Sequence, residues 1–165
     1  MGTQIRAMAQ GDWEAVRAIY LAGIATGQAT FETEAPTWTT WDNSHLQAPR
    51  LVAISEGIPA GWAALSPVSK RAVYAGVAEV SVYVAQRMRG KGVAGLLLKA
   101  LVKGSEENGI WTLQASIFPE NSASISLHHS CGFREIGRRE RIAQMNSVWR
   151  DTLLFERRSK IVGVD

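Results

Sequence analysis

Arg87-Met88-Arg89-Gly90-Lys91-Gly92-Val93-Ala94-Gly95 separates an alternating apolar run, Val80-Ser81-Val82-Tyr83-Val84, from an amphipathic segment over residues 96–107. The order is strand, glycine-rich basic turn, helix. At such a junction the first helical N–H groups have no partner inside the helix and point outward, so they attract anions. The stretch is a phosphate cradle, and the chain is expected to take a phosphorylated cofactor.

Two nucleotide motifs compete for this stretch. Gly90-Lys91-Gly92-Val93-Ala94-Gly95 matches the G-x-G-x-x-G dinucleotide pattern letter for letter. In that fold the first glycine follows its strand almost directly, whereas here five residues, Ala85-Gln86-Arg87-Met88-Arg89, intervene and two are cationic. The acidic ribose ligand expected about 20 residues on is missing: Glu106 and Glu107 fall within the helix and Glu120 comes late. A P-loop fails too, because no Gly-Lys-Ser or Gly-Lys-Thr closes the turn. A non-catalytic dinucleotide-binding module and a purely structural turn stay open as alternatives.

Working outward, residues 4–8 read as a first strand. Asp12 is placed to cap a helix bearing Trp13, Val16, Ile19 and Tyr20 on one face. Residues 27–36 are a polar loop containing Phe31 and Glu32, and Pro36-Thr37 opens a second helix with Trp38, Trp41 and Leu46. A hairpin follows, with strands over 50–55 and 60–66 joined through Glu56-Gly57-Ile58-Pro59. Residues 77–85 form the longest strand candidate. Beyond the cradle, Leu96, Leu97, Ala100, Leu101 and Gly104 make a helical stripe that stops at Asn108-Gly109. A strand over 111–118, a short helix over 123–130, a strand from Phe133 to about Arg138 and a last strand over 149–156 complete the chain.

The 165 residues suit a single domain, and 46% are hydrophobic, enough for a sizeable core. No run approaches the roughly 20 apolar residues of a membrane span, and Met1 to Arg6 lack the apolar core of a secretory leader. Arg6 also breaks the myristoylation pattern after Gly2. The lone Cys131 cannot form an internal disulfide, and no Cys/His cluster has zinc spacing, so a reducing cytoplasm and no metal are expected. A net charge of +3 suits an anionic cofactor and is too weak to argue for nucleic acid. Six tryptophans are many for this length, and core and dimer packing is their expected use.

Arg87-x-x-Gly90-x-Gly92 after Val82-Tyr83-Val84 is similar to the coenzyme A pyrophosphate motif of GNAT-type N-acetyltransferases. Asn121, followed by Leu127-His128-His129-Ser130-Cys131-Gly132-Phe133, resembles that family's downstream asparagine and its helix-then-Gly-Phe signature. Phe31-Glu32-Thr33-Glu34, Arg71-Ala72-Val73-Tyr74, Glu79-x-x-Val82-Tyr83-Val84 and Trp149-x-Asp151 resemble the subgroup of phosphinothricin and methionine sulfoximine acetyltransferases. The resemblance implies an α+β fold: a mixed, mostly antiparallel twisted sheet of about six or seven strands flanked by helices. It implies direct acetyl transfer from acetyl-CoA to the α-amine of a small amino-acid analogue, such as methionine sulfoximine, methionine sulfone or phosphinothricin, in a homodimer. Acetylation of protein N-termini or polyamines is the nearest alternative.

Roles follow residue by residue. The glycines allow close backbone approach to the pyrophosphate, and amides from Gly90, Lys91, Gly92, Val93, Ala94 and Gly95 can donate to its oxygens while Arg87, Arg89 and Lys91 add charge. Asn121 would ordinarily cap the next helix; the resemblance makes it a cofactor contact. It also implies that backbone amides near Val82 and Val84, with Tyr83 between them, hold the pantetheine arm and polarise the thioester carbonyl. Glu79 is a carboxylate in an apolar strand, costly unless it has partners or faces a wet cleft. The resemblance makes it the general base, acting through water, and places His128 where other members carry a tyrosine acid. Arg71 is expected to bind an acceptor carboxylate, with Phe31 and Glu32 covering the acceptor; the resemblance implies that Ala72, Val73 and Tyr74 line the acceptor site, across a dimer interface. One departure is plain: the subgroup's histidine before the final strand is replaced by Asn146, which cannot act as a base.

Overall fold

The computed structural model describes residues 2–165 as one seven-stranded sheet with helices on both faces. The elements run β1 (Gln4–Ala7), α1 (Trp13–Ala25), α2 (Trp38–Ser44), β2 (Arg50–Ser55), β3 (Ile58–Pro67), β4 (Val77–Val84), α3 (Val93–Glu107), β5 (Thr112–Ile117), α4 (Ser122–Ser130), β6 (Arg134–Met145) and β7 (Val148–Arg158). The strand order is β1-β2-β3-β4-β5-β7-β6, and every neighbouring pair is antiparallel except β4 with β5. The mixed, mostly antiparallel sheet expected from the sequence is the one observed.

Alternation sorts the two faces. Ala78, Val80, Val82 and Val84 of β4 pack with Leu97, Leu98 and Leu101 of α3, while Tyr83 turns to the opposite face and joins Val16 and Ile19 of α1, Trp41 and Trp62. The three leucines are completely buried, each worth about 1.5–3 kcal/mol relative to exposure. On the α1 side the tryptophans do the packing: Trp13, Trp38, Trp41 and Trp62 lie with ring centroids 5.6–5.9 Å apart. Trp149 is the exception, at 56% exposure.

Two details depart from the sequence reading. Asp12 does not cap α1 with its side chain; its carboxylate turns back to accept from the Ala9 N–H at 2.8 Å and to pair with Arg6. Thr37, by contrast, caps α2 as expected, its Oγ1 accepting from Thr40 N–H. β6 does not end near Arg138 but runs to Met145, interrupted by a register shift between Arg139 and Ala143, and turns into β7 through Asn146 and Ser147, both at positive φ. It is an edge strand exposed along nearly its whole length, so no apolar alternation announces it.

Candidate active site

β4 and β5 are in register over only three pairs, Val77 with Thr112, Ala78 with Leu113 and Glu79 with Gln114. Past Glu79 they diverge, while β4 stays paired with β3 as far as Val84 and β5 with β7 as far as Ile117. The Ala85 N–H donates to Ala60 of β3. Because N–H groups alternate sides along an antiparallel pair, those of Val82 and Val84 point away from β3, into the gap. Two backbone donors thus face an opening in the sheet. Side chains that would block it are turned into the α3 core.

At the top of β4 a 3-10 turn (Gln86–Met88) leads into the cradle. Gly90 and Gly92 have φ of 76° and 80°, the left-handed region that residues with a Cβ enter at a cost. The Leu96 N–H is bonded to Gly92 O at 3.2 Å, so the N–H groups of Val93, Ala94 and Gly95 before it have no turn to bond to. Arg89 and Lys91 are exposed and have no acidic partner among the described residues, whereas Arg87 donates to Pro59 O at 3.0 Å. A Cβ on Gly95 would lie 3.9 Å from Leu127 Cδ1, which sets the first turn of α3 beside α4. Free amides, left-handed glycines and uncommitted cations are a donor set that fits a pyrophosphate.

Below the gap lies a cleft of about 430 Å³. It is walled by β4 from Glu79 to Tyr83, by the end of β5, by Thr152 of β7, by α4 and by the bulged part of β6, and is roofed by residues 29–32 of the loop after α1. Glu79 is half-buried there, with Gln114 Nε2 3.4 Å from its Oε1. Phe31 stands edge-on to Phe118 at 4.9 Å. Burial above all, then Tyr20 and the Glu32 and Glu79 carboxylates, pushes the Tyr83 phenol up despite a hydrogen bond with Thr30, so Tyr83 keeps its proton. Asn121 does cap α4, its Oδ1 accepting from the Ser124 N–H at 3.1 Å, and its Nδ2 donates to Gln28 O at 3.2 Å.

His128 is buried, packed against Phe133 and bonded through Nδ1 to Ser124 O at 2.7 Å. A carbonyl can only accept, so Nδ1 carries the proton and Nε2 the lone pair. Desolvation holds the ring below the ordinary histidine range, outweighing the Ser124 bond, with His129 acting in the same direction as burial. Near neutral pH His128 is therefore an acceptor.

Of the expected site residues, Phe31, Glu32, Glu79, Val82, Tyr83, Asn121 and His128 meet in this cleft. Arg71, Ala72, Val73 and Tyr74 do not. They form an exposed 3-10 turn between β3 and β4, with the Arg71 guanidinium 5.6 Å from the centre of the Tyr74 ring. Asn146 sits in the β6–β7 turn and lines no part of the cleft. Sequence reasoning missed Arg139, Ile142 and Thr152, which also line it; the first two arrive through a bulge that no spacing rule reports.

Residues 13–133 match the model of the acetyltransferase (GNAT) family. The chain belongs to the GNAT acetyltransferase family. It is 32% identical over 165 residues to the phosphinothricin N-acetyltransferase of Alcaligenes faecalis, covering 93% of this chain and 81% of that one. It is 35% identical over 83 residues to the L-methionine sulfoximine/L-methionine sulfone acetyltransferase of Pseudomonas aeruginosa, about half of each chain. The crystal structure of a phosphinothricin acetyltransferase from Sinorhizobium meliloti in complex with AcCoA superposes with a TM-score of 0.88 at 27% identity, covering all of this chain and 92% of that one.

Proposed function

We propose that this GNAT enzyme moves an acetyl group from acetyl-CoA directly to the α-amine of a small amino-acid analogue of the methionine sulfoximine, methionine sulfone or phosphinothricin type. The observation that carries the reading is the meeting of the opened β4 edge with Glu79: two free N–H groups facing the gap and, on the same strand, a carboxylate facing the cleft below it. The Gly90–Gly95 amides, with Arg89 and Lys91, would hold the pyrophosphate, and Val82 and Val84 the pantetheine arm and the carbonyl oxygen. Asn121 adds a contact on the α4 side.

Glu79 removes a proton from the acceptor ammonium through water, freeing the nitrogen lone pair. The nitrogen–carbon bond then forms as the carbon–sulfur bond breaks. His128 Nε2, unprotonated, accepts the second amine proton and returns it to the leaving thiolate, so the imidazole ends as it began. Phe31 and Glu32 close over the acceptor. Because Arg71, Val73 and Tyr74 stand outside the cleft and exposed, a second copy of the chain is their expected neighbour, and we assign the enzyme a homodimeric state in the cytoplasm. Among the described residues no helix is long and apolar enough to cross a membrane.

A panel of amines assayed for coenzyme A release tests this. Methionine sulfoximine, methionine sulfone and phosphinothricin should exceed polyamines and peptides in kcat/KM by at least about a hundredfold, roughly 2.7 kcal/mol of discrimination. The reverse order would transfer the enzyme to a peptide or polyamine acceptor.

A further inference from the structure

Arg150 of β7 keeps only 13% of its side chain exposed, and its guanidinium is spent on the loop after α1. Nη1 donates to Gly27 O at 2.6 Å, and Nη2 to Gln28 Oε1 at 2.9 Å. Nη2 also lies 3.3 Å from Glu120 Oε2, and the guanidinium carbon stands 3.8 Å from the centre of the Phe118 ring. The other neighbour of that ring is Phe31, edge-on. Gln28 is tied a second time, through its carbonyl, by Asn121 Nδ2.

These ties matter because residues 26–37 have no helix or strand of their own. Within the loop, the Gln28 N–H reaches Thr26 and the Glu32 N–H reaches Thr30, which shapes short turns but anchors nothing. A largely desolvated arginine is costly unless its donors are met, and here two are met by the loop itself. The planar fork can hold a backbone carbonyl and a side-chain amide at once; a lysine ammonium, a point donor on a flexible stem, cannot reproduce that. We propose that Arg150 is a positioning residue that clasps residues 26–37 over the cleft, and that through Phe31 it sets how tightly the acceptor is held. Its kinetic consequence rests on the acetyl-transfer reading above; its structural consequence does not.

The test uses the full chain carrying Arg150→Lys, with Gln28→Ala as a milder variant that removes one arm and leaves the strand untouched. Acceptor KM should rise about tenfold in R150K and less in Q28A, with kcat and acetyl-CoA affinity little changed, the pattern of lost ground-state binding. Amide hydrogen exchange over residues 27–33 should quicken at least tenfold while β5 and β7 keep their protection. Unchanged exchange in the loop, or exchange quickened across the whole sheet in step with a lower Tm, would overturn the proposal, as would an unchanged acceptor KM. If the parent chain acetylated none of the amines, the functional reading would fall and the loop exchange alone would decide the clasp.

Discussion

Replacing Gly61 by alanine probes the link between packing and the donor side. Gly61 of β3 is paired with Val84 of β4, and a Cβ built there lies 2.8 Å from the Tyr83 carbonyl oxygen and 2.9 Å from Leu97 Cδ1. The leucine methyl can rotate away. The oxygen belongs to the backbone, so β3 and β4 must part by roughly 0.7 Å to restore an ordinary contact near 3.5 Å. Overpacking of this kind costs about 1–3 kcal/mol; at about 2 kcal/mol, Tm falls by roughly 4–8 °C in a chain of this size. Val84 carries one of the two N–H groups that face the gap, so the same shift should weaken acetyl-CoA about tenfold, a fraction of what a 1 Å misplacement costs. Calorimetric melting and isothermal titration read the two effects. Gly11→Ala, with nothing within 4 Å of its Cβ, serves as control and should stay within about 0.5 kcal/mol. A normal Tm in G61A would refute the packing argument, and a lowered Tm with unaltered acetyl-CoA affinity would refute the role of the β4 edge.

Glu79→Gln keeps the shape of the cleft and removes the base; kcat should fall about 10²–10⁴-fold with acetyl-CoA affinity intact, read by thiol release across pH, and unchanged turnover would remove Glu79 from that role. Gly92→Ala forces a Cβ into a φ of 80°, so stability should drop by about 1–2 kcal/mol in urea unfolding, with weaker acetyl-CoA binding; a neutral variant would mean that the cradle does not need its left-handed turn. His128 gives a pH signature. Burial lowers the folded ring's affinity for protons, so below about pH 6.5 the unfolded chain takes up a proton that the folded chain refuses. Stability should therefore decline as pH falls from there to the folded value, by up to about 1.4 kcal/mol per pH unit, and show no such slope above it. Urea unfolding between pH 5 and 8 measures this, and His128→Gln should flatten the slope by about one proton.

Most of the fold was legible because most of its elements bury one face. The alternation of Val80, Val82 and Val84 and the leucine stripe of α3 are direct prints of the core they form. The cradle was legible for a different reason: a left-handed φ costs any residue with a Cβ, which favours glycine there, and Gly90 and Gly92 both have it. What stayed hidden is what depends on contacts distant in sequence or on surfaces without a core. β6 is exposed along nearly its whole length, so its second half carries no periodic signal, and the bulge that brings Arg139 and Ile142 to the cleft went unseen with it. Nothing in the sequence marks Arg150 within its strand, because its partners Gly27 and Gln28 lie more than a hundred residues away. Local resemblance makes Arg71 and Tyr74 acceptor contacts, and within one chain they stand outside the cleft. His128 lines the cleft, and its proton assignment hangs on the Ser124 carbonyl one helical turn away, which a residue name does not disclose.

Only three residue pairs join β4 to β5, and this makes the sheet unfinished by design. An extended, amide-bearing molecule lodged in the gap would complete the hydrogen-bonding pattern that the two strands abandon, serving for a time as a missing strand. Its concentration would then set the protein's durability as well as its rate: at a hundred times Kd a bound molecule adds about 2.7 kcal/mol to folding stability. A cell rich in the acetyl donor would hold a sturdier pool of this enzyme than a starved one, with no change in expression.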